Sequence, residues 1–264
     1  MVEQIERVKT YIQGFDEAME GGVPKGHVVL VSGTAGSMKS SITFNILYNE
    51  AKNGKHGLYI SLEQSYDSLK QHFENMGLNL DLVNMQPIKD LAKIEDIIHS
   101  TKTSDKGTIM VADLGCIRKE IKDIKVGDNR SWLNVIKNIM KKVSSETDCS
   151  MFIIDSLSAL YTLSRFENPR VELFYVFEFL RDTGITTYLI SEMPLDGSKY
   201  SEYEIEDFLS DGIILLRLTP FRRNVVREIS IVKMRATACN NDVFSLEFKN
   251  GQFNAMYGGQ NPLL

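Results

Sequence analysis

Cysteine is scarce in this chain of 264 residues: Cys116, Cys149 and Cys239 stand far apart, form no CxxC pair and have no histidine cluster near them. Structural zinc and a disulfide framework are not expected, and a reducing cytoplasm fits best. Long apolar runs are missing as well. None approaches the ~18–20 residues that a bilayer-spanning helix needs. The N-terminus, Met1 to Lys9, alternates charged and apolar residues and has no signal-peptide core. Positive charge is not in excess: 30 Lys and Arg stand against 35 Asp and Glu, a net charge of −5. Generic polyanion binding is therefore not expected, and nucleic-acid contact would need a local basic patch. No low-complexity segment, no proline- or serine-rich linker and no internal repeat divides the chain, which predicts one domain over 1–264. What remains, 43% hydrophobic and 25% charged, is ordinary globular composition. It excludes disordered, collagen-like and fibrous classes.

Short apolar runs alternate with helical patterns. Val28–Ser32 reads as a strand buried on both faces, and Gly57–Leu62, Thr108–Ala112, Met151–Ile154 and Thr186–Ile190 read as four further strands. Between them, helices are predicted over 39–53, closed by Gly54, over 66–76, closed by Gly77, over 131–145 and over 170–181. From Gly212 the pattern changes. Ile213–Leu216, Val226–Val232 and Val243–Phe248 have no long helix between them and read as added antiparallel strands. The expected fold class is α/β, with a mostly parallel twisted sheet flanked by helices and extended by antiparallel strands at its C-terminal end.

The strongest chemical signal follows the first strand: Gly33, Thr34, Ala35, Gly36, Ser37, Met38, Lys39, Ser40 and Ser41. It has the strand–loop–helix context of the GxxxxGK[ST] phosphate loop. Small residues let backbone N–H groups curl around a phosphate, and the helix N-terminus adds partial positive charge. Lys39 can reach the β- and γ-phosphates, and the Ser40 hydroxyl can ligate Mg²⁺. The glycine expected just before the lysine is Met38, so a backbone angle open to glycine is strained there.

Two strands end in acids. Asp155 stands where ligands bind in open α/β sheets and can hold Mg²⁺ through water, or it can cap the next helix. Glu63 can orient or deprotonate a water attacking the γ-phosphate, or it is an exposed acid ahead of a helix. Lys233 and Arg235, one residue apart near a strand end, share one face and can meet a γ-phosphate, or they are solvated charges. Trp132, Phe174, Tyr175, Phe177 and Phe179 are expected in the core. Arg222, Arg223 and Arg227 form a basic cluster read as a solvated hairpin.

Together these residues resemble the RecA-superfamily P-loop ATPases, most closely the single-domain KaiC-like branch related to RadA. The resemblance also covers Gly14-Phe15-Asp16, Gly21-Gly22-Val23-Pro24-Lys25-Gly26, Ser210-Asp211-Gly212 and Lys233-Met234-Arg235-Ala236-Thr237. It implies ATP or ADP bound with Mg²⁺ through Ser40 and Asp155, and Glu63 as the glutamate that activates water. It implies Lys233 and Arg235 acting in trans on ATP held by a neighbour in a homo-oligomeric ring, for which a hexamer is one candidate. The branch often has two adjacent glutamates; here the second is Gln64. The glycine of KMRGT is Ala236, and Asn240-Asn241-Asp242 stands where a histidine is usual. With Met38, these departures imply slow hydrolysis more than lost nucleotide binding. Ser191 and Glu192 lie where the superfamily often senses γ-phosphate.

Three readings follow: an ATPase in regulation or signalling, a RadA-paralogue-type DNA-binding protein, and an ATP-binding scaffold with little hydrolysis. The superfamily's DNA loops match Tyr161–Pro169 and Pro194–Phe208. The second carries Glu202, Glu204, Glu206 and Asp207 against Lys199, a balance that repels a phosphate backbone. Nucleic-acid contact is therefore expected to be weak.

Overall fold

In a computed structural model, residues 5–120, 130–164, 166–194 and 199–257 are described. Residues 1–4, 121–129, 165, 195–198 and 258–264 lie outside them, and with them parts of the stretches 1–9, 161–169 and 194–208 named above. Two-residue strands β1 (Arg7–Val8), β2 (Ile12–Gln13) and β3 (Val23–Pro24) precede β4 (Val28–Gly33). Then come α1 (Lys39–Lys52), β5 (His56–Ser61), α2 (Tyr66–Asn75), β6 (Asn84–Ile88), α3 (Ile94–Lys102) and β7 (Thr108–Asp113). They are followed by α4 (Leu114–Glu120), α5 (Arg130–Glu146), β8 (Cys149–Asp155), α6 (Leu157–Ser164), α7 (Pro169–Asp182), β9 (Thr186–Glu192) and the short α8 (Glu206–Leu209). Four strands complete the order: β10 (Gly212–Phe221), β11 (Asn224–Met234), β12 (Val243–Lys249) and β13 (Gln252–Tyr257).

Local chemistry sets the helix ends. Gly54 and Gly77 follow α1 and α2 in the left-handed conformation, with φ of 82° and 83°, which glycine adopts without a Cβ penalty. Ser65 caps α2 by accepting from the Ser68 N–H at 3.2 Å. Helix α3 buries Ile94, Ile97, Ile98 and Thr101, the spacing of one apolar helix face.

The chain packs as two compact units, Met1–Ile46 with Leu173–Leu264, and Leu47–Glu172. In the first, the strands lie in the order β2-β13-β12-β11-β10-β4-β9. β10, β4 and β9 are mutually parallel neighbours, while β10 to β13 form an antiparallel run. The reading of 213–216 as one of the added antiparallel strands is corrected in this respect: β10 is antiparallel to β11 but parallel to β4. An uninterrupted apolar run fits either pairing, so the choice was not local. In the second unit, β8-β5-β7-β6 are all parallel. Pro87 sits in β6, at the end of that order, where a missing N–H is tolerated. Val28–Val31 in β4, Leu58–Ile60 in β5 and Phe152–Ile154 in β8 are buried along their whole length, as parallel strands covered on both faces must be.

One expectation about the core fails. Phe177 is fully buried, but Trp132 and Phe179 are only half-buried, and Phe174 and Tyr175 are 50% and 57% exposed. α7 turns Leu173, Val176, Phe177 and Leu180 inward, and Phe174 and Tyr175 fall on the opposite side of the 3.6-residue repeat.

Candidate functional site

β4 delivers the phosphate loop. Its last residue, Gly33, is fully buried against β10. A Cβ there would lie 2.6 Å from the Leu216 carbonyl oxygen and 2.6 Å from Ser37 Oγ, so this position excludes any side chain. Gly36 has φ of 80°, and Met38 has φ of 73°. The position that is glycine in the loop pattern thus keeps a left-handed backbone with a side chain attached, at a cost of about 1–2 kcal/mol. Met38→Gly is expected to leave the thermal midpoint unchanged or raise it. Met38→Val, β-branched and poorer still at positive φ, is expected to lose about 1–2 kcal/mol. Denaturant unfolding of both variants checks this, and equal stability of the two would refute strain at this position.

Lys39 opens α1 and is 7% exposed. Its Nζ donates to the carbonyls of Gly33 and Thr34, each at 2.9 Å, and lies 3.8 Å from Glu192 Oε1. The ammonium is thereby held inside the loop, at the positive end of a 14-residue helix. Ser37 Oγ donates to Thr34 O at 2.8 Å. Ser41 is buried, Thr34 and Ser40 are half-buried, and Ala35 and Gly36 are exposed. In β9, the Ser191 hydroxyl is buried with no hydrogen-bond partner among the described residues.

Next to the loop lies a cavity of about 610 Å³, lined by Met38 together with Phe221, Arg222, Arg227, Leu246 and Phe248, among others. The basic cluster at 222–227 is an exposed hairpin, as expected, but Arg222 and Arg227 also line this cavity. The sequence held no local sign of it, because the cavity joins the loop to β-strands some two hundred residues later.

In the second unit, Asp155 ends β8 and is 7% exposed, and the Tyr59 hydroxyl donates to its Oδ2. The capping role belongs to its neighbour: Ser156 Oγ accepts from the Ala159 N–H at 3.3 Å, at the start of α6. Ser156 Oγ also donates to Glu63 Oε1, a link that sequence spacing did not announce. Glu63 itself is exposed, just beyond β5.

The two late cations converge. Lys233 Nζ donates to the Asp207 carbonyl. Arg235 Nη1 donates to Asp211 Oδ1 at 2.7 Å, and its Nη2 to the Phe208 carbonyl at 3.0 Å. Burial, and then the nearby Arg235 charge, hold the Lys233 ammonium below the ordinary lysine range. Ala236, at the second lost glycine, is again left-handed, with φ of 53°. The opening motif serves the scaffold. Gly22 packs against the Val8 carbonyl, and Arg7 Nη1 joins Gly22 O at 3.0 Å to Thr237 Oγ1 at 2.9 Å. Asp16 Oδ1 accepts from the Thr10 N–H at 2.8 Å and from its hydroxyl at 2.7 Å.

Hydroxyl and carboxylate oxygens such as those of Ser40 and Asp155 are the hard donors that Mg²⁺ prefers. Among the described residues no group of three or more His, Cys, Asp or Glu could hold a metal alone. Among the described residues no helix is long and apolar enough to cross a membrane.

A family model described as "ATPase: KaiC" matches residues 8–254. A UPF0273 protein of Thermotoga maritima is 26% identical over 238 residues, 89% of each chain. The circadian clock protein KaiC3 of Synechocystis is 26% identical over 235 residues, which are 88% of this chain and 42% of that one. A crystal structure of a KaiC-like protein from Pyrococcus horikoshii superposes with a TM-score of 0.71 at 25% identity, covering 96% of this chain and 99% of the other. The chain belongs to the KaiC-like family of ATPases, built on a RecA-like P-loop fold.

Proposed function

We propose that residues 1–264 work as one Mg²⁺-dependent ATPase domain that binds ATP tightly, hydrolyses it slowly, and assembles through it. The observation that carries this reading is the loop itself. Lys39 is held by two loop carbonyls at a strand-to-helix bend whose left-handed turn persists at Met38. The triphosphate takes the place of those carbonyls as the partner of the Lys39 ammonium. The base and sugar lie in the cavity beside Met38, where Phe221 and Phe248 supply apolar surface.

Ser40 and Asp155 hold the Mg²⁺, which when bound neutralises charge on the phosphates. Tyr59 fixes the Asp155 carboxylate. Glu63 takes the proton of the attacking water, oriented by the Ser156 hydroxyl on Oε1 and leaving Oε2 for the water. Gln64 gives no second charge beside it. Lys233 and Arg235 reach the γ-phosphate held by an adjacent copy, so the homo-oligomer, ring-like in this reading, couples assembly to nucleotide state. That coupling suits a regulatory or signalling role.

Sedimentation velocity without nucleotide, with ADP and Mg²⁺, and with ATP and Mg²⁺, beside phosphate release, tests the reading. A larger species is expected with ATP, with slow turnover. An unchanged small mass in all three, with ATP demonstrably bound, would overturn the trans role of Lys233 and Arg235.

A further inference from the structure

The Ser210-Asp211-Gly212 triplet has no part in the chemistry described so far. Asp211 precedes β10 directly and is 7% exposed. Its N–H donates to the Val28 carbonyl at 2.8 Å, and its Oδ2 accepts from the Val28 N–H at 3.0 Å. Val28 begins β4, the strand that ends in the phosphate loop. The Asp211 carbonyl accepts the Arg235 N–H at 2.8 Å. Its remaining carboxylate oxygen, Oδ1, accepts from Arg235 Nη1 at 2.7 Å and lies 3.4 Å from Arg181 Nε. The carbonyls just before it act the same way. Asp207 O accepts from Lys233, Phe208 O from Arg235, and Leu209 O from Arg181.

A carboxylate this buried persists only when charge-assisted hydrogen bonds offset its lost hydration. Asp211 obtains them from Arg235 and Arg181, with the Val28 N–H on the other oxygen. The geometry is one-sided. Two of the five N–H donors of Arg235 face Asp211 and Phe208. The Arg235 side chain is nevertheless 52% exposed, against 10% for that of Asp211. Both terminal nitrogens of a rigid planar fork are anchored by one N–H each, while about half of the side chain stays exposed and three N–H donors are left over. A long, otherwise mobile side chain is thus ordered before any anion arrives.

We propose that Asp211 is a positioning residue for ATP turnover: it grips Arg235 from the buried side, aims the remaining N–H donors of the guanidinium at the γ-phosphate of an adjacent copy, and ties that aim to the β4 strand. This rests on the reading of Arg235 as a residue that acts in trans.

The experiment measures kcat, KM and calorimetric ATP binding of the full chain, with thermal unfolding of every variant as a fold control. Arg235→Ala is expected to slow turnover by tenfold or more. Asp211→Asn is expected to lower kcat by about tenfold to a hundredfold, with KM within about twofold of wild type and ATP binding retained. The double variant is expected to be no slower than Arg235→Ala within about twofold, because the two residues act as a unit. Asp211→Glu, which restores the charge, is expected to recover part of the rate. Wild-type turnover in Asp211→Asn while Arg235→Ala is slow overturns the proposal, and so do effects that multiply in the double variant. If Arg235→Ala itself turns over normally, the trans reading falls and the positioning role falls with it. Should Asp211→Asn not fold, Arg235→Lys carries the test, since it keeps the charge and loses the fork. A rate as low as that of Arg235→Ala supports the proposal, and a wild-type rate refutes it.

Discussion

Changing Lys39 to Ala is expected to remove measurable ATP binding. The ammonium is buried at the helix N-terminus and is the one cation held inside the loop by its own carbonyls, Gly33 and Thr34. A hydrogen bond to a charged group contributes about 1.5–3 kcal/mol, and a lysine on the β- and γ-phosphates makes two. A loss of roughly 3–5 kcal/mol corresponds to two to four decades in Kd. The truncation also takes a donor from the two carbonyls and a cation from beside Glu192, so a modest drop in stability should accompany it. Circular dichroism at the calorimetry temperature separates that drop from loss of the fold. A folded Lys39→Ala protein that still gave the wild-type heat of binding would remove the basis for every nucleotide role assigned here.

Glu63→Gln is expected to do the opposite: binding kept, turnover lost. General-base catalysis contributes about 10²–10⁴-fold, and the amide cannot take the proton. The amide oxygen still accepts from the Ser156 hydroxyl, which reaches Glu63 Oε1 in the native chain, so the segment after β5 keeps its place. Calorimetry should give an affinity within a few fold of wild type, while γ-phosphate release falls at least a hundredfold. Equal release from both proteins would exclude Glu63 as the base. No release from either would exclude hydrolysis and leave an ATP-binding scaffold.

Part of this was legible in one dimension. The phosphate loop is a run of nine residues between an apolar strand and the start of a helix, and both its chemistry and its context are local. The five parallel strands were legible for the same reason, as were the acids that end two of them. Helix α3 and strand β6 are harder to see in the sequence, although Ile94, Ile97 and Ile98 carry the spacing of a buried face; Pro87 blurs β6. Phe174 and Tyr175 belong by residue type in a core that the phase of α7 denies them.

The sequence by itself determined the fold class, the loop, and the strain at Met38, because a missing glycine in a left-handed turn is a property of one residue and its neighbours. Tertiary structure decided the rest. It set β10 parallel to β4, brought Arg222 and Arg227 to the cavity beside Met38, and joined Ser156 to Glu63. It also gathered Arg181 and Arg235 on Asp211 against the first residue of β4. Each of those contacts links residues tens to hundreds of positions apart. Their pairing depends on how sheets and helices stack, and no local pattern of apolar and polar residues encodes it.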